Sequence, residues 1–194
     1  MSFETACIFV DGENLRHSLV DLFGQEFNSS DYLPRNAAWG DFFNSLVPKA
    51  GAGRRLRTYW YVVDEIDFWP YGLQRLVRDV PKLESVLLKD ADYRREITGI
   101  VTQTERNTRM IEIAQELIAR ERRMKSRFDG WQIFQNGICS RFDCLEFRRA
   151  GSIRYNLFAQ KLEKEKGVDV KLATDILHLK EIYSVGIIVS GDGD

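Results

Sequence analysis

Four aspartates stand where acids can do chemistry. Asp11 directly follows a continuous apolar run, Ala-Cys-Ile-Phe-Val at 6–10, and Asp192 and Asp194 follow a second, Val-Gly-Ile-Ile-Val at 185–189. Such runs are strands buried on both faces of a parallel sheet. Open α/β sheets bind ligands beyond the carboxyl ends of their strands. Asp169 belongs to a third group, Lys-Gly-Val-Asp-Val-Lys-Leu-Ala-Thr-Asp at 166–175. Carboxylates from these three places, meeting at one sheet edge, would repel one another unless a cation neutralised them. An all-oxygen donor set suits Mg²⁺ or Mn²⁺ rather than zinc. Two such ions about 4 Å apart would hold the attacking and leaving oxygens of a phosphodiester. Each acid also has an ordinary reading: Asp11-Gly12 as a turn, Asp169 as a helix N-cap, the terminal Gly-Asp-Gly-Asp as a loop.

The helical phase ranks the acids of the third group. Counting about 100° per residue from Asp169, Ala173 and Ile176 fall nearly in line with it, flanked by Leu172, Leu177 and Leu179. Lys171, Thr174 and His178 lie opposite. This puts Asp169 at the head of the apolar stripe. Asp175 falls near the boundary, about 120° away, and is the weaker ligand candidate.

The elements that must position these acids alternate. After the first strand, Leu15, Leu19 and Leu22 have helical spacing over 14–23, and residues 24–36 read as a loop. Residues 37–47 read as a helix with Trp39, Phe42, Phe43 and Leu46 on one face, stopped by Pro48 and the Ala-Gly-Ala-Gly stretch. Residues 57–63, Arg-Thr-Tyr-Trp-Tyr-Val-Val, read as a second strand. A long helix is expected over 104–124, a short strand at 131–135, and a strand at 142–148 that pairs with it. A helix broken near Gly167 is expected over 161–179. Strands alternating with helices predict an α/β fold around a mostly parallel sheet. Residues 64–130 exceed one crossover and read as a helical insertion in a single domain.

Charge and composition narrow the classes. Lys and Arg total 28 against 29 Asp and Glu, a net charge of −1, which excludes a globally basic nucleic-acid binder but not a local basic face. The 44% hydrophobic share argues against disorder. No stretch has the roughly 18 apolar residues of a membrane-spanning helix, and the start lacks the basic region of a secretory signal. Cys7, Cys139 and Cys144 are too few for a disulfide framework, and the sparse set suits a reducing, cytoplasmic setting.

The segments Phe9-Val-Asp-Gly-Glu-Asn-Leu15, Lys166-Gly-Val-Asp-Val-Lys-Leu-Ala-Thr-Asp175 and Ile188-Val-Ser-Gly-Asp-Gly-Asp194 resemble the three motifs of the NYN domain. The closest branch is the LabA-like one, within the PIN-like nuclease superfamily. The resemblance implies one domain over 1–194, a three-layer α/β/α architecture, and a cytoplasmic metal-dependent ribonuclease acting on RNA. Carried over by position, Asp11, Asp169, Asp192 and Asp194 would bind Mg²⁺ or Mn²⁺. Asn14 would support the site, Asp175 would be an additional acid, and Ser190 would orient the loop. The family pattern runs on past the last Asp with an aromatic, a helix and a strand, whereas this chain stops at Asp194. The expectation is therefore that C-terminal elements are missing, that Asp192 and Asp194 fray, and that a second copy or a partner chain covers the sheet.

A nucleic-acid surface has its own candidates. Residues 120–127 hold five basic side chains and one acid, including Arg122, Arg123 and Lys125. Such a patch contacts phosphate, or is the solvated end of a helix. Lys166 and Lys171 flank Asp169 and could reach a scissile phosphate. Single-stranded bases could stack on Tyr59-Trp60-Tyr61 or on Phe68-Trp69-Pro70-Tyr71, and the latter is the better candidate because Pro70 suggests a loop. His17 is a weak choice for a general base, because its helix turns Leu15 and Leu19 inward. The alternative to a ribonuclease is an inactive RNA-binding or protein-interaction module of a regulatory complex. A haloacid-dehalogenase phosphatase needs Asp-x-Asp after the first strand and fails at Asp11-Gly12-Glu13. A Toprim domain fits only partly, through Glu13 and Asp192-Gly-Asp194.

Overall fold

Ala6 to Val10 have no solvent exposure at all, and a run of five such residues needs protein on both faces and strands on both edges. The computed structural model, which describes residues 4–23, 33 and 37–191, provides this. Strand β1, Thr5–Asp11, lies inside a five-stranded sheet and is parallel to both its neighbours, β2 (Arg54–Trp69) and β5 (Val185–Val189). β3 is Leu145–Asn156 and β4 is Lys161–Lys166, and the sheet order is β4-β3-β2-β1-β5. The helices are α1 (Gly12–Phe23), α2 (Trp39–Lys49), α3 (Leu73–Leu76), α4 (Val80–Leu87), α5 (Ala91–Thr98), α6 (Gln103–Cys139) and α7 (Val168–His178). The fold is mixed α/β with a mostly parallel sheet.

The chain divides into two compact units. Ile66–Asp129 with Ile153–Lys164 forms the second, and the rest of the described chain forms the first. Residues 64–130, read from sequence as an insertion, thus overlap a unit that also takes in the end of β3 and most of β4. The first unit packs Ile8, Val10, Trp39, Phe43 and Trp60 into its core. Trp39 meets Trp60 edge-on at 4.8 Å and Phe147 stacks on it at 5.1 Å. Tyr59, Trp60 and Tyr61 are all buried, so this aromatic run is core and offers no face to a base. The second unit has its own core of Leu83, Leu87, Ile97, Met110, Ile113 and Leu117.

Two local readings are corrected. Residues 131–135 are not a strand: α6 continues through them to Cys139. Strand alternation would put Trp131, Ile133 and Gln135 on one face, but Ile133 is exposed while Gln135 and Ile138 are buried, a helical period. Residues 161–166, Lys-Leu-Glu-Lys-Glu-Lys, favour helix by composition yet form β4 at the edge of the sheet. There a neighbouring strand overrides propensity, and charged side chains suit an exposed edge. Gly167, at φ +95°, then turns the chain into α7. Gly151 of β3 lies so close that a Cβ there would sit 2.0 Å from the Lys166 carbonyl oxygen.

Candidate active site

Asp11 ends β1 at the carboxyl edge of the sheet and immediately precedes α1. Its Oδ1 accepts the Asn14 backbone N–H at 3.1 Å, which satisfies one of the orphan donors of the new helix. Asn14 Nδ2 donates to Oδ2 at 2.9 Å. Asn14 thus fixes the carboxylate itself, a more direct support than holding a phosphate or water. The turn between them needs glycine: a Cβ on Gly12 would stand 2.2 Å from the Tyr61 carbonyl oxygen and 2.7 Å from Trp60 Nε1. Glu13 is buried in the first turn of α1.

The third sequence group reaches the same edge from β4 and α7. Asp169 lies in the first turn of α7 and is exposed, and it acts electrostatically on Glu165 of β4. Burial raises the Glu165 carboxyl first, and Asp169, Asp11 and Glu13 raise it further, to about 8. No donor meets the buried Glu165 Oε2. A half-buried acid near other acids, with no donor facing it, favours its protonated form. Carboxyl groups of β1, α1 and α7 thus act electrostatically on Glu165 of β4 within the first unit. Glu165 was missed in the sequence because it sits in a run of alternating Lys and Glu that reads as solvated surface. Only the turn at Gly167 brings it beside Asp169.

The helical phase of α7 also needs correction. Its inward face carries Val168, Leu172 and Asp175, whereas Asp169, Ala173 and Leu177 are exposed. Counting apolar residues misplaced the stripe because one of its central members is an aspartate. Asp175 is 3% exposed and has three partners of its own. It accepts from Arg148 Nη1 at 2.5 Å, Tyr61 Oη at 3.1 Å and Lys171 Nζ at 2.9 Å. Burial opposes its charge, but the hydrogen bonds from Arg148, Lys171 and Tyr61 outweigh it and hold the carboxyl below its ordinary value. The Tyr61 hydroxyl is pushed up by burial and by Asp175. Arg148 also pairs with Glu146 at 3.0 Å and lies 4.1 Å over the Tyr59 ring. Lys171 is thus committed to Asp175, and Lys166 is exposed.

The last motif approaches through Gly191. A Cβ on Gly191 would lie 2.3 Å from the Asn14 carbonyl oxygen and 2.2 Å from Ser18 Oγ, so the chain just past β5 lies against the first turn of α1. Ser190 is exposed. Asp192 and Asp194 lie outside the described residues, as does the His17 side chain. Arg122, Arg123 and Lys125 are exposed on α6 in the second unit. Among the described residues, no group of three or more His, Cys, Asp or Glu side chains is arranged to hold a metal ion. A cleft of about 420 Å³, lined by Val47, Pro48, Arg54, Arg55 and Cys144, opens at the start of β2, the end of the parallel pair opposite Asp11.

No family model, no curated protein and no solved structure matches the chain. No helix among the described residues is long and apolar enough to cross a membrane, and Cys7, Cys139 and Cys144 are free thiols.

Proposed function

We propose that this protein is a cytoplasmic metal-dependent ribonuclease with an NYN-type, PIN-like fold. The observation that carries the reading is the electrostatic influence of Asp11, Glu13 and Asp169 on Glu165 beside the carboxyl edge of a mostly parallel sheet. The motif resemblance supplies the substrate class, RNA. The donor set suits a hard divalent cation in kind, being all oxygen with a local excess of negative charge and Glu165 Oε2 buried without a donor, although the described side chains are not arranged around one. Asp11, Glu165 and Asp169 would hold Mg²⁺ or Mn²⁺, joined on the resemblance alone by Asp192 and Asp194. Bound there, such an ion supplies charge stabilisation to the phosphoryl oxygens during hydrolysis. Asn14 keeps the Asp11 carboxylate in one orientation, and Asp175 anchors the helix that presents Asp169. Gly191, against Asn14, brings the third motif to the first.

The test is cleavage of labelled single-stranded RNA with Mn²⁺, Mg²⁺ or EDTA, with Asp11→Asn beside the unaltered chain. Asparagine still accepts the Asn14 N–H and caps α1, so the variant folds. Cutting that needs the metal and falls by at least about 100-fold in the variant is the expected result. Equal cutting by both proteins, or none by a stably folded unaltered chain, would overturn the reading.

A further inference from the structure

The two units differ in charge. Residues 66–129 with 153–164 carry 16 Lys and Arg against 12 Asp and Glu, a net +4, while the rest of the chain carries 12 against 17, a net −5. The chain's near-neutral total conceals this segregation. The second unit thus has, taken by itself, the sign that attracts a polyanion.

Within the second unit, one feature suits an unpaired base. Tyr71 is 57% exposed, while the preceding Phe68 and Trp69 are half-buried and Pro70 is buried. Here Arg154 Nη2 donates to the Tyr71 hydroxyl at 2.9 Å, with the guanidinium 5.8 Å from the ring centroid. No carboxylate lies within ion-pair distance of Arg154 among the described residues, and its Nε is buried without a partner. An ordered exposed ring beside an unneutralised guanidinium is the pairing that single-stranded nucleic acid uses, a π-face for a base and a cation for its phosphate. The segment before Tyr71 is tied through Leu157 to Arg120 of α6. The Leu157 N–H donates to the Trp69 carbonyl at 2.8 Å, and Arg120 donates to the Leu157 carbonyl. The exposed Arg122, Arg123 and Lys125 follow directly on that helix.

We infer that Tyr71 and Arg154 form a landing site for single-stranded nucleic acid, with a base stacked on Tyr71 and the adjoining phosphate on Arg154. The inference rests on the ribonuclease reading only for the choice of RNA as probe.

The experiment is fluorescence anisotropy of a labelled 12-nucleotide single-stranded RNA with the full chain in EDTA. The same sequence as duplex and as single-stranded DNA serves for comparison, and thermal melts confirm folding. Tyr71→Ala is expected to weaken single-strand binding about ten-fold, and Tyr71→Phe, which keeps the ring, by about two-fold or less. Arg154→Gln is expected to weaken binding and to reduce the salt slope by about one. Arg141→Gln, an exposed site in the first unit, should change neither. Single-strand binding that Tyr71→Ala and Arg154→Gln leave intact in folded variants would overturn the inference, as would absence of binding by the unaltered chain. Such failures with metal-dependent cutting retained would sink this site and not the nuclease. Binding sensitive to Tyr71 without any cutting would sink the nuclease and not this site.

Discussion

Replacing Asp175 with alanine should destabilise the first unit more than removal of any other single carboxylate described. Its side chain is 5% exposed and serves three donors at once. Removing one member of a buried ion pair costs about 3–5 kcal/mol when the partner is left uncompensated. Here the partners are not equally stranded. Arg148, 22% exposed, keeps Glu146 and the face of Tyr59, and Lys171, 45% exposed, can turn to water. Tyr61 loses its acceptor in a fully buried position. The reduced cost is about 2–3 kcal/mol, which in a chain of this length lowers Tm by about 5–10 °C. The pH dependence gives an independent check. The folded carboxyl sits below its ordinary value, so its contribution is present above the unfolded pKa near 3.9 and is lost as pH falls through the lower folded value. Urea titrations of the unaltered chain and Asp175→Ala should therefore differ at pH 7, and the difference should shrink as pH falls below about 3.9. A Tm within about 1 °C of the unaltered chain at pH 7 would refute this account of how α7 is anchored.

Other outcomes follow from the same geometry. Glu165 has a folded pKa of about 8 against an ordinary 4.5, so it holds a proton in the folded state that the unfolded chain releases. Its contribution is complete below pH 4.5 and is lost as pH rises towards 8. The full separation corresponds to about 4–5 kcal/mol, and solvent access to a half-buried carboxyl reduces this to about 2 kcal/mol. Glu165→Gln should flatten that decline in urea titrations between pH 5 and pH 9, and an unchanged slope would refute the raised Glu165 carboxyl. Gly12→Ala, whose Cβ would stand 2.2 Å from the Tyr61 carbonyl oxygen, should lose about 2–3 kcal/mol in chemical denaturation. Asn14→Ala should keep α1 capped by Asp11 yet lower RNA cutting about ten-fold, measured with Mn²⁺ at fixed substrate, because the Asp11 Oδ2 contact at 2.9 Å is lost.

The sequence alone determined the elements whose environment is local or uniform. Five consecutive apolar residues at 6–10 admit only a doubly buried strand, and the aromatic and β-branched run at 57–63 lies within β2. The two apolar runs, each followed by Asp, mark the ends of two strands that the structure pairs in parallel as β1 and β5. Patterns that depend on a neighbour were not legible. Lys161 to Lys166 became a strand because an adjacent strand supplied its hydrogen bonds, and 131–135 stayed helical because its burial follows a 3.6-residue period. The two acids of α7 show the same division. Composition identified both, but a periodicity count cannot reveal that an aspartate occupies the buried stripe. Asp175 is buried because Tyr61, Arg148 and Lys171 gather to satisfy it, and those residues lie as far as 114 positions away in sequence. Glu165 was hidden for a like reason: its carboxyl is raised by burial first, then by Asp169 across one turn and by Asp11 from the far end of the chain. A residue's type is written in the sequence, but its protonation and burial belong to the groups around it, which only the tertiary structure assembles.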